Sequence, residues 1–319
     1  MKKQYIKDIK PNDKIDTLLA VKTKYSIREY KNGYMFTLSL TDKTGNILAK
    51  FWGDNNKIKI QKTYDIFQKG DIVNVKGTAN EYQGNTEISI NENHEINIKK
   101  IDNYDVTDFV PTTDTDINEI INELKETIRT IKNPHLIQLL NKIILDKEII
   151  EKAKITPASI GYHDSCAGGL LVHTYNVVRI CDTLAKVYSG LDRDLLLTSA
   201  ILHDIGKTFE YSVSTTMDYT EDGIFKGHII IGYQLINEKI DQISEFPQEI
   251  KQKLLHIILS HHGEKAFGSP KRPVLAEGVA LHFADYCDSQ VSLFIQVQKE
   301  TKTEDKWIYD KRLGKVYLK

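Results

Sequence analysis

Hydrophobic residues follow two different periods along this chain, and the change falls near residue 115. Up to about residue 100 the pattern alternates. In "GYMFTLSLTD" (33–42), Tyr34, Phe36, Leu38 and Leu40 share one face, and Met35, Thr37, Ser39 and Thr41 share the other. A strand with one buried side requires that pattern. "DKTGN" (42–46) supplies a tight turn and "ILAKFW" (47–52) resumes the extended pattern. "DIVNVKGTANEY" (71–82) groups Val73, Val75, Gly77 and Ala79, and "QGN" (83–85) turns the chain into "TEISI" (86–90). With "IDTLLAVKTKYSIREY" (15–30) as an initial long strand, residues 1–100 predict a five-stranded antiparallel Greek-key barrel of the OB type. A glycine inside one strand permits the sharp bending such a barrel needs.

Residues 101–115, "IDNYDVTDFVPTTDT", are acidic, contain a proline and show no period, which predicts a linker. From residue 116 the period is helical. "INEIINELKETIRTI" sets Ile117, Ile120, Ile121, Leu124, Ile128 and Ile131 on one stripe. Helical patterns continue through 135–153, 170–188, 192–206, 226–241, 247–262 and 273–288, so an all-helical domain is expected over 116–290. The tail, 291–319, ends in "KWIYDKRLGKVYLK" and has no assigned structure. A multidomain β plus α chain is the expectation at 319 residues.

Composition refines this picture in two respects. Residues 1–100 hold 18 Lys and Arg against 12 Asp and Glu, whereas the remainder holds 25 against 32. A basic first third suggests that the barrel meets a polyanion. The three cysteines, Cys166, Cys181 and Cys287, form no CxxC pair, which fits a reducing cytoplasm and argues against a thiolate zinc site. The first residues lack an apolar signal-peptide core, and no apolar run is long enough for a membrane span. The expected location is therefore cytoplasmic, with no membrane partner.

The chemistry concentrates in the helical half. His173 opens a helix after a glycine pair, and His203 and Asp204 end the apolar run "LLLTSAIL". His228 begins another helix, His261 and His262 close "HIILSHH", and Asp285 lies four residues after Leu281. Consecutive residues on a helix diverge by about 100°. His203 and Asp204 can therefore serve one ion only if the helix ends there, and Gly206 is read as that end. Imidazole and carboxylate together suit Zn, Mn, Fe or Ni. A carboxylate bridging two ions can clamp a phosphoryl group in hydrolysis, and Lys207 is placed to meet a phosphate oxygen. His135, His163 and His282 read as ordinary hydrogen-bonded core residues, and His256 as a support behind the ligands or as structural. Either of His261 and His262 fits the inward position.

The order His173, His203–Asp204, His228, His261–His262, Asp285 resembles the HD superfamily of metal-dependent phosphohydrolases. The chain as a whole resembles the YhaM-type 3′→5′ exoribonucleases of Gram-positive bacteria, which join an OB domain to an HD domain. The segments carrying the resemblance are "LTDKTGNILAKFW", "GGLLVHT", "AILHDIGKT", "KGHIIIGY", "HIILSHHGEKAFGSPKRP" and "ALHFADYCDS". The resemblance implies one divalent ion on His173, His203, Asp204 and Asp285, and a second shared through Asp204 with His228 and His261. Manganese is the first choice, with Fe, Co, Ni or Mg as alternatives. It also implies release of nucleoside monophosphates from single-stranded RNA, with single-stranded DNA as a second substrate, by metal-activated water. His262 is the candidate for protonating the leaving 3′ oxygen.

On the barrel, Lys50 and Trp52 share the face opposite Ile47, Ala49 and Phe51, and Lys76 and Tyr82 share the outward alternation of their strand. Cations that track a backbone and aromatics that stack bases are what an OB domain uses on a single strand. Two competing readings are a hydrolase of a small nucleotide (a cyclic dinucleotide or an alarmone) and a non-catalytic single-strand-binding protein. The first has no need of a strand-binding barrel, and the second no need of a complete ligand set. The oligomeric state stays open.

Overall fold

The computed structural model describes residues 2–91, 98–105, 108–161, 164–301 and 303–318. It divides into two compact units: residues up to Thr112 with Val213–Met217, and Thr113–Ser212 with the residues from Asp218 onward.

The first unit contains β1 (Lys14–Lys24), β2 (Arg28–Tyr30), β3 (Gly33–Asp42), β4 (Gly45–Trp52), α1 (Lys57–Asp65), β5 (Ile72–Tyr82), β6 (Asn85–Asn91) and β7 (Ile98–Ile101). Strands β1, β3, β4, β6 and β5 pair in that order, and β5 pairs back onto β1, which closes a ring of five. Closure removes the open edges of an isolated sheet. The alternation is the inside–outside alternation: Leu19, Phe36, Leu38, Leu40, Phe51, Val75, Ile88 and Ile90 fill one core. Each such side chain stabilises by about 1.5–3 kcal/mol when removed from water. A Cβ on Gly77 would lie 2.4 Å from the Ser89 carbonyl oxygen, so β5 can approach β6 this closely only with glycine there.

Three expectations for this unit are corrected. The β4–β6 pair is parallel, because the intervening α1 and β5 turn the chain back before β6. The stretch 15–30 is two strands, since Arg28–Tyr30 bury no side chain and pair with β3 outside the ring. The segment read as linker packs on the barrel over its first part. Tyr104 and Phe109 lie against Ala20 and Ile72, burying apolar rings without any period to announce them.

The second unit contains α2 (Ile117–Arg129), α3 (Pro134–Ile144), α4 (Lys147–Ala153), α5 (Gly169–Val187), α6 (Arg193–Leu202), α7 (Lys207–Glu210), the first two residues of β8 (Tyr211–Val213) and the last two of β9 (Met217–Tyr219), α8 (Glu221–Asp241), α9 (Gln248–Ser260), α10 (Ala276–Glu300) and a hairpin of β10 (Trp307–Asp310) and β11 (Gly314–Tyr317). One cluster running from Ile120 to Ala284 forms its core. Residues 116–290 are helical as expected but for the short strands β8 and β9, and the second hairpin, β10–β11, lies in the stretch 291–319.

The stretch 135–153 is interrupted where the Asp146 side chain accepts from Glu148 and Ile149 N–H, the capping chemistry that starts a new helix. The described residues of the stretch 291–319 also form regular structure. α10 continues to Glu300, and its Leu293 and Val297 bury against Val316 and Leu318 of the terminal hairpin. Among the described residues, no helix is long and apolar enough to cross a membrane.

Candidate metal centre

His203 and His261 occupy the same local position. Each directly follows a helix, α6 or α9, where the carbonyls of the last turn lack partners within the helix. Each ring turns Nδ1 back onto such a carbonyl, His203 onto Ala200 at 2.7 Å and His261 onto Ile258 at 2.7 Å. A ring whose Nδ1–H donates to a carbonyl leaves the Nε2 lone pair free, as a metal ligand must. His262 does the same with the carbonyl of Phe267, at 2.9 Å.

The other two rings are oriented by carboxylates. On α5, His173 places Nδ1 2.7 Å from Asp288 Oδ2. The α8 helix is broken at Gly227, whose φ is 70° and ψ 158°, so a second helical segment starts at His228. Its backbone N–H donates to Glu210 Oε1 at 3.0 Å, and its Nδ1 lies 3.3 Å from Glu210 Oε2. One carboxylate thus caps the segment and aims the ring.

Gly206 follows the expected helix end, α6 stopping at Leu202, and has a further role. Its φ of −61° and ψ of −22° are right-handed helical, so it makes no left-handed helix stop. A Cβ there would stand 2.0 Å from the His228 carbonyl oxygen and 2.6 Å from the Gly232 nitrogen. Glycine lets the turn at 203–207 press against α8, which carries His228 to Asp204.

All these rings converge on Asp204, and its two oxygens face different groups. Oδ2 lies 3.4 Å from His203 Nε2 and 3.7 Å from His173 Nε2. Oδ1 lies 3.4 Å from His228 Nε2 and 3.6 Å from His261 Nε2. Asp285 Oδ1 joins the first group, 3.2 Å from His173 Nε2. Among the described residues the sets able to hold an ion are His173–His203–Asp204 and Asp204–His228–His261–His262. Asp204 Oδ1, His228 Nε2 and His261 Nε2 are buried without a hydrogen-bond partner. Such orphaned atoms are costly in a low-dielectric interior, and three that converge on one point fit a divalent cation.

The electrostatics agree with that fit. Burial opposes ionisation of Asp204, but Lys207 Nζ at 2.6 Å and the surrounding imidazoles hold its carboxyl well below the usual range. Burial also disfavours a charged His173, yet Asp285 and Asp288 on either side outweigh it and lift the ring to about 10. That pocket favours a positive charge. Burial and the neighbouring His261 push His262 down to about 4, which keeps its Nε2 lone pair available.

His173, His203, Asp204, His228, His261 and Asp285 therefore come together with Lys207 and His262, and both members of the His261–His262 pair face inward. Asp288 and Glu210 join them without having been singled out from the sequence. The only hint of Asp288 was its spacing three residues after Asp285. His256 is structural, accepting at Nε2 from Val274 N–H at 3.0 Å. His135 packs edge-on to Phe246. His282 departs from the core reading by supporting the site, with Nδ1 3.1 Å from the His261 carbonyl oxygen. His163 lies outside the described residues.

On the barrel, Lys50 and Trp52 point outward as the alternation requires. Lys50 Nζ is paired with Glu87 at 2.5 Å and lies 4.4 Å from the centre of the Tyr82 ring. Trp52 is half-buried, its edge against Tyr30 at 5.0 Å. Tyr82 and Lys76 are exposed on β5, and Lys76 stands opposite Asp16 across the ladder.

Comparison with known proteins gives the same two parts. Residues 21–101 match a family described as an OB-fold nucleic acid binding domain, and residues 170–290 match the HD domain. The chain is 29% identical over 293 residues to the 3′-5′ exoribonuclease YhaM of Bacillus subtilis strain 168, covering 91% of this chain and 89% of that protein. It is 29% identical over 295 residues to the protein of the same name from Listeria monocytogenes serotype 4b, strain CLIP80459, covering 92% and 91%. Among solved structures, the second OB-fold domain of replication protein A from Methanococcus maripaludis aligns with 32% of this chain and 96% of its own, at 25% identity and a TM-score of 0.26. Divalent-metal dependence follows from the HD domain together with the histidine and aspartate cluster. The helical part thus resembles the HD domain over residues 170–290 and the barrel an OB fold over residues 21–101, and the chain is similar over nine-tenths of its length to proteins named YhaM.

Proposed function

We propose that this protein is a metal-dependent 3′→5′ exoribonuclease acting on single-stranded RNA at a pair of divalent ions that share Asp204. The observation that carries the reading is the division of Asp204, whose two oxygens face two separate imidazole groups. His173, His203, Asp204 and Asp285 would hold one ion, and Asp204, His228, His261 and His262 the other. Ions so bridged supply water activation and charge neutralisation at a phosphodiester. The imidazole-rich donors suit Mn, Fe, Co or Ni over Mg, and Mn²⁺ is our choice.

The chain's own groups do the positioning. Asp288, Glu210 and the carbonyls of Ala200, Ile258 and Phe267 fix the rings, so the site is organised before substrate arrives. Lys207 lines the same cavity as Asp285 and His262, where its ammonium can meet a phosphate oxygen. We place His262 among the donors in preference to the proton-donor role. The barrel would hold the strand through Lys50, Trp52, Lys76 and Tyr82. The free cysteines fit a cytoplasmic location.

The test uses 5′-labelled single-stranded RNA, single-stranded DNA and free nucleotides, each with Mn²⁺ and with chelator. A ladder shortening from the 3′ end, abolished by chelator, is expected. Turnover of free nucleotides alone, or retention of RNA without cleavage, would overturn the proposal.

A further inference from the structure

Beside the ligand cluster, within the helical unit, lies an open cavity of about 280 Å³, near the lower end of small-molecule sites. Its polar end is formed by Lys207, His262 and Asp285, and its other wall by Phe267 and Tyr286. Those two rings are close to parallel, 17° apart in plane and 6.3 Å between centroids. Both are well exposed, Phe267 at 57% and Tyr286 at 48%. The metal chemistry uses neither ring, and the core does not bury them.

The wall is tied to the ligands through hydrogen bonding. The carbonyl of Phe267 fixes His262 through Nδ1, so the residue that offers a ring to the cavity also aims an imidazole at Asp204. Gly263 shapes the same corner, with φ at 75° and a Cβ position only 2.6 Å from the His282 ring. That turn puts Phe267 opposite Tyr286.

We propose that this wall is the base site for the nucleotide next to the scissile phosphate: a planar base stacks on Phe267 and Tyr286 while its phosphate meets Lys207 and the ligand cluster. The inference rests on the nuclease reading given above and adds its specificity. Stacking uses the π-face that every base has, so the site is sequence-tolerant. A sugar phosphate without a base gains nothing from the wall.

The experiment measures equilibrium binding of adenosine 5′-monophosphate and of ribose 5-phosphate to the full-length, Mn²⁺-loaded protein. The same samples are assayed for RNA turnover. Wild type should bind the nucleotide about tenfold more tightly than the sugar phosphate. Phe267→Ala and Tyr286→Ala should erase that preference while leaving ribose 5-phosphate binding unchanged, and Phe267→Tyr should keep it. Equal binding of the two probes by wild type would overturn the site. So would an equal loss for both probes in Phe267→Ala, which would point to a disturbed His262, or a change of oligomeric mass in the alanine variants, which would make the wall a subunit contact. Base-dependent binding without RNA turnover would leave the base site standing and remove the nuclease reading. Turnover without base-dependent binding would do the reverse.

Discussion

The Asp288 carboxylate lies 2.7 Å from Nδ1 of His173, and the same helix brings Asp285 within 3.2 Å of Nε2 on the other side of that ring. One imidazole is held between two carboxylates three residues apart, one of which orients it and one of which shares its ligand position. Asp288→Asn keeps an acceptor at the orienting position but removes its charge, making the ring a weaker donor to a metal. The expected result is a drop of about tenfold or more in metal affinity with the fold intact. Metal titration followed by calorimetry checks it, and unchanged affinity would reduce Asp288 to a packing residue.

Removing the bridge and removing one of its arms should have different consequences. Asp204→Asn should lose both ions and all hydrolysis, and His203→Ala should lose hydrolysis with RNA binding by the barrel largely retained. His228→Ala withdraws a ring that faces only Oδ1, so it should release one ion and keep the other. Metal content by elemental analysis should read near two, zero and one per chain for wild type, Asp204→Asn and His228→Ala. A wild-type value of one, unchanged in His228→Ala, would show that Asp204 serves a single site.

Lys207 makes a further prediction, about metal removal. Its ammonium sits 2.6 Å from Asp204 Oδ2, and both side chains are buried. In chelator this pair satisfies Oδ2 of the carboxylate. Breaking a buried pair leaves an uncompensated charge, at a cost of about 3–5 kcal/mol. Lys207→Met should therefore be strongly destabilised in chelator and close to wild type with Mn²⁺, since bound cations meet the same carboxylate. Metal affinity should rise, because the competing ammonium is gone, while turnover falls. Thermal unfolding with and without chelator gives the two stabilities, and equal destabilisation in both would refute this account.

How much of this was legible without coordinates depends on what kind of contact is involved. His173, His203, His228, His261 and Asp285 are readable because polar donors interrupt apolar helical stripes, and burying such groups without partners is costly. Asp288 and Glu210 look like ordinary acids, and only tertiary structure pairs them with rings, Asp288 with a histidine 115 positions away. The carbonyl anchors of His203 and His261 have no residue-type signature at all. Gly206 follows the helix end that the pattern predicts, α6 stopping at Leu202, but nothing in the sequence announces its close approach to His228. On the barrel, alternation told inside from outside for Lys50 and Trp52, but not that Glu87 neutralises one and Tyr30 half-covers the other.

The Lys50–Glu87 pair gives the sharpest test of the barrel face. At 2.5 Å, with both side chains largely shielded, the Lys50 charge is spent on Glu87, and the ammonium also lies over the Tyr82 ring. If a single strand runs across this face, Glu87→Gln frees a cation next to its path. Affinity for single-stranded RNA should rise, and the slope of log affinity against log salt should steepen by about 0.7, the increment for one more neutralised phosphate on a single strand. Tyr82→Ala removes a stacking surface that carries no charge, so affinity should fall about five- to a hundred-fold with the slope unchanged. Lys50→Ala leaves Glu87 facing the phosphates and should weaken binding with a shallower slope. Fluorescence anisotropy across a salt series separates the three variants. Identical slopes in Glu87→Gln and wild type would mean that the strand runs elsewhere, because a cation released beside a phosphate backbone has to register in the salt dependence.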